Sequence, residues 1–263
     1  MEAFLLAAGL GTRLRPLTEH TPKPLIEILD DTLLGYNLKL LSRVGVKKIV
    51  VNTHYLHRQI EAYLGDGTRW GVPIEISYEP VLLDTGGGLK KAWDYFSSKK
   101  ILTWNSDIIL DPGFVEPQGG SMNSEFADLC AVSEDESKSP VITILVRNDT
   151  NENLDSYGSL GISDKGRVVE FLGKKFVDER VSQRVMFAGI SIMDRRVSHY
   201  FPQNIDIFST TKDLYPQILM ESADKDSGGI WVSFCTCYWN DVGTIDRLNE
   251  ASKQMKDILS LQR

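Results

Sequence analysis

The residues best suited to chemistry lie between Leu5 and Leu25, in the run Leu-Leu-Ala-Ala-Gly-Leu-Gly-Thr-Arg-Leu-Arg-Pro-Leu-Thr-Glu-His-Thr-Pro-Lys-Pro-Leu. An apolar segment passes into Ala7, Ala8, Gly9 and Gly11, and Thr12, Arg13 and Arg15 follow at once. Lys23 comes next, held between Pro22 and Pro24 in what reads as an extended segment. Small residues leave backbone N–H groups uncovered, so such a loop can close on an anion, and the cations beside it add charge. The chemistry this suits is polyphosphate binding. Two better-known glycine loops do not fit. The dinucleotide fingerprint needs a third glycine where this chain has Leu14, and no Gly-Lys-Ser/Thr run follows a glycine at Walker A spacing.

Two carboxylates are the next candidates. Asp107 ends Trp104-Asn105-Ser106-Asp107, just past an apolar strand-like run, and Asp241 sits in Trp239-Asn240-Asp241-Val242-Gly243-Thr244. In open α/β sheets the carboxyl ends of strands are where ligands bind. Either residue alone could equally be a turn or cap. Together, facing a cationic glycine loop, they call for a hard divalent cation such as Mg²⁺, bridging them to phosphate oxygens. A second glycine cluster, Thr85-Gly86-Gly87-Gly88, precedes a helical pattern from Leu89. Three glycines carry an entropic cost that close approach of a flat ligand would justify, though a loose strand-to-helix turn fits too.

The elements that must position these groups follow from periodicity. Ala3–Ala8, Val46–Val51, Val72–Tyr78 and Ile101–Trp104 read as strands, with helical spacing at Leu33–Val44, Tyr55–Leu64 and Leu89–Phe96. Alternation of this kind predicts right-handed βαβ units and a parallel sheet. Residues 112–140, rich in proline and glycine and ending in an acidic run, read as an irregular excursion. Val141–Arg147 and Met186–Met193 read as strands, Gly158–Ile162 and Arg167–Phe171 as a hairpin, and Ile230–Tyr238 as one long strand. Helices are expected at Asp213–Glu221 and Thr244–Leu259. The expected fold is a single Rossmann-like α/β three-layer sandwich with a mainly parallel sheet. Its divisions are a nucleotide-binding half (1–107), a smaller β-rich half (108–243), to which the family resemblance given below assigns sugar binding, and a C-terminal helix (244–263).

Composition narrows the function classes. A chain of 263 residues can bury a full core. Its net charge of −7 argues against nucleic acid as a partner. No apolar stretch approaches the roughly 20 residues of a membrane span, and no leader pattern opens the sequence, so a cytoplasmic enzyme is expected. The three cysteines, Cys130, Cys235 and Cys237, suit a reducing compartment. Cys235 and Cys237 fall on one face of a strand-like run and read as packed there, because a Cys-x-Cys metal pair lacks its other ligands. His54 reads as a structural histidine. Nothing in the sequence decides between a monomer and a homo-oligomer.

Gly-x-Gly-Thr-Arg followed by Pro-Lys-Pro resembles the signature of the sugar-1-phosphate nucleotidylyltransferases, which make nucleotide sugars. Val51-Asn52-Thr53-His54-Tyr55 and Leu83-Asp84-Thr85-Gly86-Gly87-Gly88 resemble the N-acetylmuramate-1-phosphate uridylyltransferases more than the mannose-1-phosphate guanylyltransferases. The resemblance implies that Ala7, Ala8, Gly9, Gly11, Thr12, Arg13 and Lys23 bind the nucleotide, with Gly87 and Gly88 against the base. It implies Mg²⁺ on Asp107 and Asp241, with Ser106 standing where most relatives have glycine. On the sugar side it points to Gly158, Gly189 and Lys174, with Asn105 beside Asp107. The family's glutamate is replaced by Gly173, and Glu170 is the residue that could substitute. The reaction so implied joins a sugar 1-phosphate to UTP or GTP, with Arg13, Lys23 and Asp107 catalytic and pyrophosphate released. A regulatory subunit that binds nucleotide sugars without turnover is the alternative. A dehydrogenase or small-molecule kinase is a weaker third, since the glycine fingerprints fail.

Overall fold

The computed structural model describes residues 1–116, 124–148, 159–225 and 227–261. The first half alternates as expected. Strand β1 (Glu2–Leu6) is followed by a small ribbon, β2 (Glu27–Ile28) and β3 (Asp31–Thr32), then α1 (Leu33–Arg43), β4 (Ile49–Thr53), α2 (His57–Leu64), β5 (Ile74–Tyr78), α3 (Asp84–Ala92) and β6 (Lys100–Asn105). β1 pairs in parallel with β4 and β6, and β4 with β5. The second half adds β7 (Ile108–Leu110), α4 (Glu125–Glu134), β8 (Ile142–Arg147), β9 (Ser159–Ile162), β10 (Val168–Phe171), β11 (Lys174–Lys175), β12 (Gln183–Asp194), α5 (Tyr215–Glu221), β13 (Ile230–Phe234), β14 (Trp239–Asp241) and α6 (Ile245–Leu261).

β12 joins the halves. It runs antiparallel to β6 through residues 190–194 and to β9 through residues 183–186, so the later strands extend the same ten-stranded sheet. The sheet is therefore mixed, with β6, β1, β4 and β5 parallel at one end and a second parallel pair, β8 and β13, branching from β12. Side chains alternate between two cores. Phe4, Val50 and Ile101 pack on one side with Leu89 of α3 and Ile218 of α5, while Leu5, Val51 and Trp104 pack on the other with Leu38 of α1 and Leu129 of α4. A third, smaller cluster seats Leu248, Ala251 and Met255 of α6 on Ile28, Ile109 and Val242.

Four boundaries depart from the periodicity, each for a visible reason. Helix α3 begins at Asp84 and runs through the three glycines, and ends before Phe96. Its glycines are helical because the chain packs against them: the N–H groups of Gly86 and Gly87 both donate to the Phe208 carbonyl, at 2.9 and 3.0 Å. Residues 112–140 contain α4, whose Ser124 cap accepts from the Ala127 N–H at 3.2 Å. The run Ile230–Tyr238 is a strand only as far as Phe234, the end of β13, and β14 starts beyond it at Trp239; between them Glu125 Oε1 takes the N–H groups of Thr236 and Cys237, at 2.8 and 2.9 Å. Lys23 opens a short 3-10 turn, Lys23–Leu25, where an extended segment was expected.

Candidate active site

The sheet register sets the floor of the site. Leu6, the last residue of β1, is level with Asn52 of β4 and with Asn105 of β6. Above these strand ends is a cleft of about 580 Å³. Ala7, Ala8, Gly9, Gly11, Thr12, Arg13, Lys23, Asn105 and Asp107 all line it. The loop is held from below, since Ala7 N–H donates to Asn52 Oδ1 at 2.7 Å and the Thr18 hydroxyl donates to the Gly11 carbonyl at 2.8 Å. Gly11 has φ +66°, and a Cβ there would lie 2.9 Å from Lys23 Cβ and 3.0 Å from Thr18 Cγ2. Glycine at this position permits both the left-handed turn and the approach of Lys23.

The two aspartates meet on a ribbon. β14 pairs antiparallel with β7, Asp241 opposite Ile108, and the Val242 N–H donates to the Asp107 carbonyl at 3.0 Å. The carboxylates are near enough for Asp107 to act on Asp241. Burial pushes the Asp241 carboxyl above its ordinary range, and the Asp107 charge pushes the same way against Lys23, Arg247 and Arg13. Lys23 Nζ is ion-paired to Asp107 Oδ2, and Arg247 Nη1 lies 3.3 Å from Asp241 Oδ2. Asp241 Oδ1 is buried and has no hydrogen-bond partner among the described residues. Arg13 reaches the same corner: a Cβ on Gly243 would lie 3.0 Å from its Nη2 and 3.1 Å from Asp241 Oδ1. Two hard oxygen donors, one oxygen of them bare and buried, suit a divalent cation such as Mg²⁺.

A model of the nucleotidyl transferase family matches residues 2–258. The chain belongs to that family. It is 30% identical over 257 residues to a UTP–glucose-1-phosphate uridylyltransferase of Synechocystis sp., covering 93% of this chain and 61% of that protein. An N-acetylmuramate alpha-1-phosphate uridylyltransferase of Neisseria meningitidis is 44% identical over 115 residues, 43% of this chain and 50% of that protein. Its counterpart from Caulobacter vibrioides is 31% identical over 193 residues, 72% of this chain and 74% of that one. The chain thus spans about half to three-fifths of the first two relatives' length. Among solved structures, HddC from Yersinia pseudotuberculosis superposes with a TM-score of 0.72 at 22% identity, over 96% of this chain and 98% of that one, and shares the fold.

The other family-implied positions are placed as follows. Gly87 and Gly88 do not line the cleft. They are buried in α3, where a Cβ on Gly87 would lie 1.9 Å from the Asp206 carbonyl oxygen and one on Gly88 2.6 Å from Glu79 Oε1. The wall of the cleft is formed instead by the residues before them, Asp84 and Thr85. Gly189 has φ +81° at an irregularity in β12, and a Cβ there would lie 3.1 Å from Asn105 Nδ2, so these two adjoin. Glu170 of β10 is paired with Arg184 at 2.5 Å, and the exposed Lys174 of β11 lies over the Phe176 ring at 5.2 Å. Gly158 lies outside the described residues. His54 Nδ1 lies 2.8 Å from the Glu79 carbonyl oxygen.

Three supporting residues escaped the sequence reading. Asn37, fully buried on α1, donates to the Ser106 carbonyl at 3.1 Å and accepts from Trp104 Nε1 at 2.6 Å, fixing the backbone that leads to Asp107. Asn52 holds Ala7, and its amide donates to Glu79 Oε1 at 2.8 Å, while Glu79 Oε2 accepts from Leu83 N–H at 3.0 Å. The glycine loop and the start of α3 are thereby tied to one buried carboxylate. The available signal was a polar residue inside an otherwise apolar strand or helix face, which without long-range contacts does not identify its partner.

Proposed function

We propose that this chain is a sugar-1-phosphate nucleotidylyltransferase that condenses a sugar 1-phosphate with UTP or GTP and releases pyrophosphate. The carrying observation is the meeting of Asp107 and Asp241 beside Lys23 and Arg13 at the mouth of the glycine loop. Relatives named for uridylyl transfer, and others named for guanylyl transfer, make those two triphosphates the first to try.

The nucleophile is an oxygen of the sugar phosphate. It bonds to the α-phosphorus as the bond to the bridging oxygen breaks, and pyrophosphate leaves with the electron pair. That oxygen is already anionic, so no base is required, and the work of the protein is positioning and charge neutralisation. The backbone from Ala7 to Thr12 holds the triphosphate, Arg13 neutralises charge developing on the pyrophosphate, and Lys23 binds beside the reacting phosphates. Asp107 and Asp241 would hold Mg²⁺, which when bound would supply further charge neutralisation at the phosphates. Asp84 and Thr85 face the base, and Gly87 and Gly88 serve that side indirectly by letting α3 pack closely. Asn105 and Gly189 border the sugar, with Lys174 for its phosphate, and Glu170 and Gly158 contributing from the same half. On this reading residues 1–107 serve the nucleotide, 108–243 the sugar, and 244–263 close the fold.

Pyrophosphate release across a matrix of triphosphates and sugar 1-phosphates tests this. Turnover with UTP or GTP and one sugar class, abolished by chelating Mg²⁺, is the expected result. Binding of a nucleotide sugar with no pyrophosphate from any pair would favour a regulatory subunit.

A further inference from the structure

The loop from β13 to β14 carries the closely spaced Cys235 and Cys237, and the fold brings to them Glu125, more than a hundred residues away in sequence. Cys235 Sγ and Cys237 Sγ are 3.4 Å apart, and both lie within 4.8 Å of a carboxylate oxygen of Glu125, in the first turn of α4. The two oxygens of Glu125 are treated differently. Oε1 accepts from the N–H groups of Thr236 and Cys237 and from the Thr236 hydroxyl, the last at 2.6 Å. Oε2 is buried and accepts from no N–H or O–H among the described residues, so that only the weakly donating thiols of Cys237 and Cys235 face it. A buried carboxylate oxygen served only by weak thiol donors is costly, which makes it a pointer to a ligand.

We propose that Glu125, Cys235 and Cys237 form a binding site for one thiophilic divalent cation of the zinc class, separate from the nucleotide cleft. Thiolates about 2.3 Å from a tetrahedral zinc are separated by about 3.8 Å, a few tenths more than the sulfur separation here. A disulfide would need about 2.05 Å. Two sulfurs and a carboxylate are the borderline-soft donor set that favours zinc over magnesium or calcium. Three protein ligands leave a fourth position for water. Two thiolates and a carboxylate exceed a 2+ ion by one negative charge. Arg147 Nη1, 3.6 Å from Cys235 Sγ and 2.6 Å from the Cys237 carbonyl oxygen, offsets it. Binding replaces the two thiol protons, which pass to solvent, and involves no redox step. The ion braces the loop that leads into β14, the strand that carries Asp241.

Cobalt titration of the reduced full chain, in buffer free of other divalent ions, is the test. One equivalent of Co²⁺ should produce a thiolate-to-cobalt charge-transfer band in the near ultraviolet, Zn²⁺ should displace it, and either ion should raise the melting temperature. The carboxylates of the nucleotide cleft cannot produce that band, so the result is independent of the catalytic reading. Cys235→Ser and Cys237→Ser should each weaken or abolish it, and Cys130→Ser should leave it intact. Glu125→Gln should lower cobalt affinity by roughly tenfold or more, in line with the loss of a group that holds the metal. Absence of the band in the wild-type chain, or its persistence when both loop cysteines are serine, would overturn the proposal. Unchanged affinity in Glu125→Gln would do the same for the three-ligand site.

Discussion

At the amino-terminal edge of the parallel strands, buried carboxylates are surrounded by donors; at the carboxyl-terminal edge, one is not. Glu2 accepts from the N–H groups of Ser97 and Ser98, both at 2.7 Å, with Lys48 Nζ at 3.3 Å. Asp194 lies between Arg196 Nε at 2.8 Å and Lys100 Nζ at 3.1 Å. Burial alone would raise both carboxyls, yet these donors win, holding Glu2 at about 2 and Asp194 below its ordinary range. Asp241 is the reverse case: burial and the Asp107 charge raise it, and Oδ1 has no described partner. The first arrangement spends its charges on holding the sheet together. The second leaves charge under-satisfied where substrate phosphates and a cation are expected to complete it.

The comparison breaks first at its catalytic end. Asp241→Asn and Asp107→Ala should each lower kcat by on the order of a hundredfold or more, the cost of losing charge complementarity that acts in the transition state. Asp241→Asn should also leave the melting temperature unchanged or slightly higher, because it removes an unfavourable buried charge. Near-normal turnover in both variants would take the aspartate pair out of the mechanism.

Glu2→Gln should behave oppositely, costing stability while sparing turnover per folded molecule. With a folded value of about 2 against an ordinary 4.5, ionised Glu2 contributes stability on the order of 3 kcal/mol. Because the folded value is the lower one, that contribution is complete above pH 4.5 and fades as pH falls towards 2. Denaturant melts of wild type and Glu2→Gln should therefore converge over that window. A constant gap between them would mean that the glutamate's charge is not what matters. The smallest effect is expected for Arg196→Ala, which removes one of several donors to Asp194 from a partly exposed position. A loss of about 1 kcal/mol without change in activity is the expected outcome of thermal melts and kinetic assays.

How much of this was legible in the sequence varies by range of interaction. The glycine loop could be read because its parts are contiguous: small residues after an apolar strand, then cations. The βαβ order and the strand-end positions of Asp107 and Asp241 could be read for the same reason. The first turns of α3, ahead of the expected start at Leu89, could not, because glycine opposes helix formation locally and is outweighed here by close packing on Asp206 and Phe208. The break between β13 and β14 was hidden too, since its cause, Glu125, lies on a different element and captures N–H groups that a continued strand would need.

The sequence by itself determined the fold class, the family and the composition of the glycine loop, because periodicity, turn residues and motif spacing act over a few residues. Only the tertiary structure decided that Asp241 meets Asp107, that Asn52 and Glu79 tie the loop to α3, and that Glu125 joins the two cysteines. Those meetings depend on strand register and on which buried polar group finds which partner. Both are settled by packing the whole chain, and no local stretch encodes them.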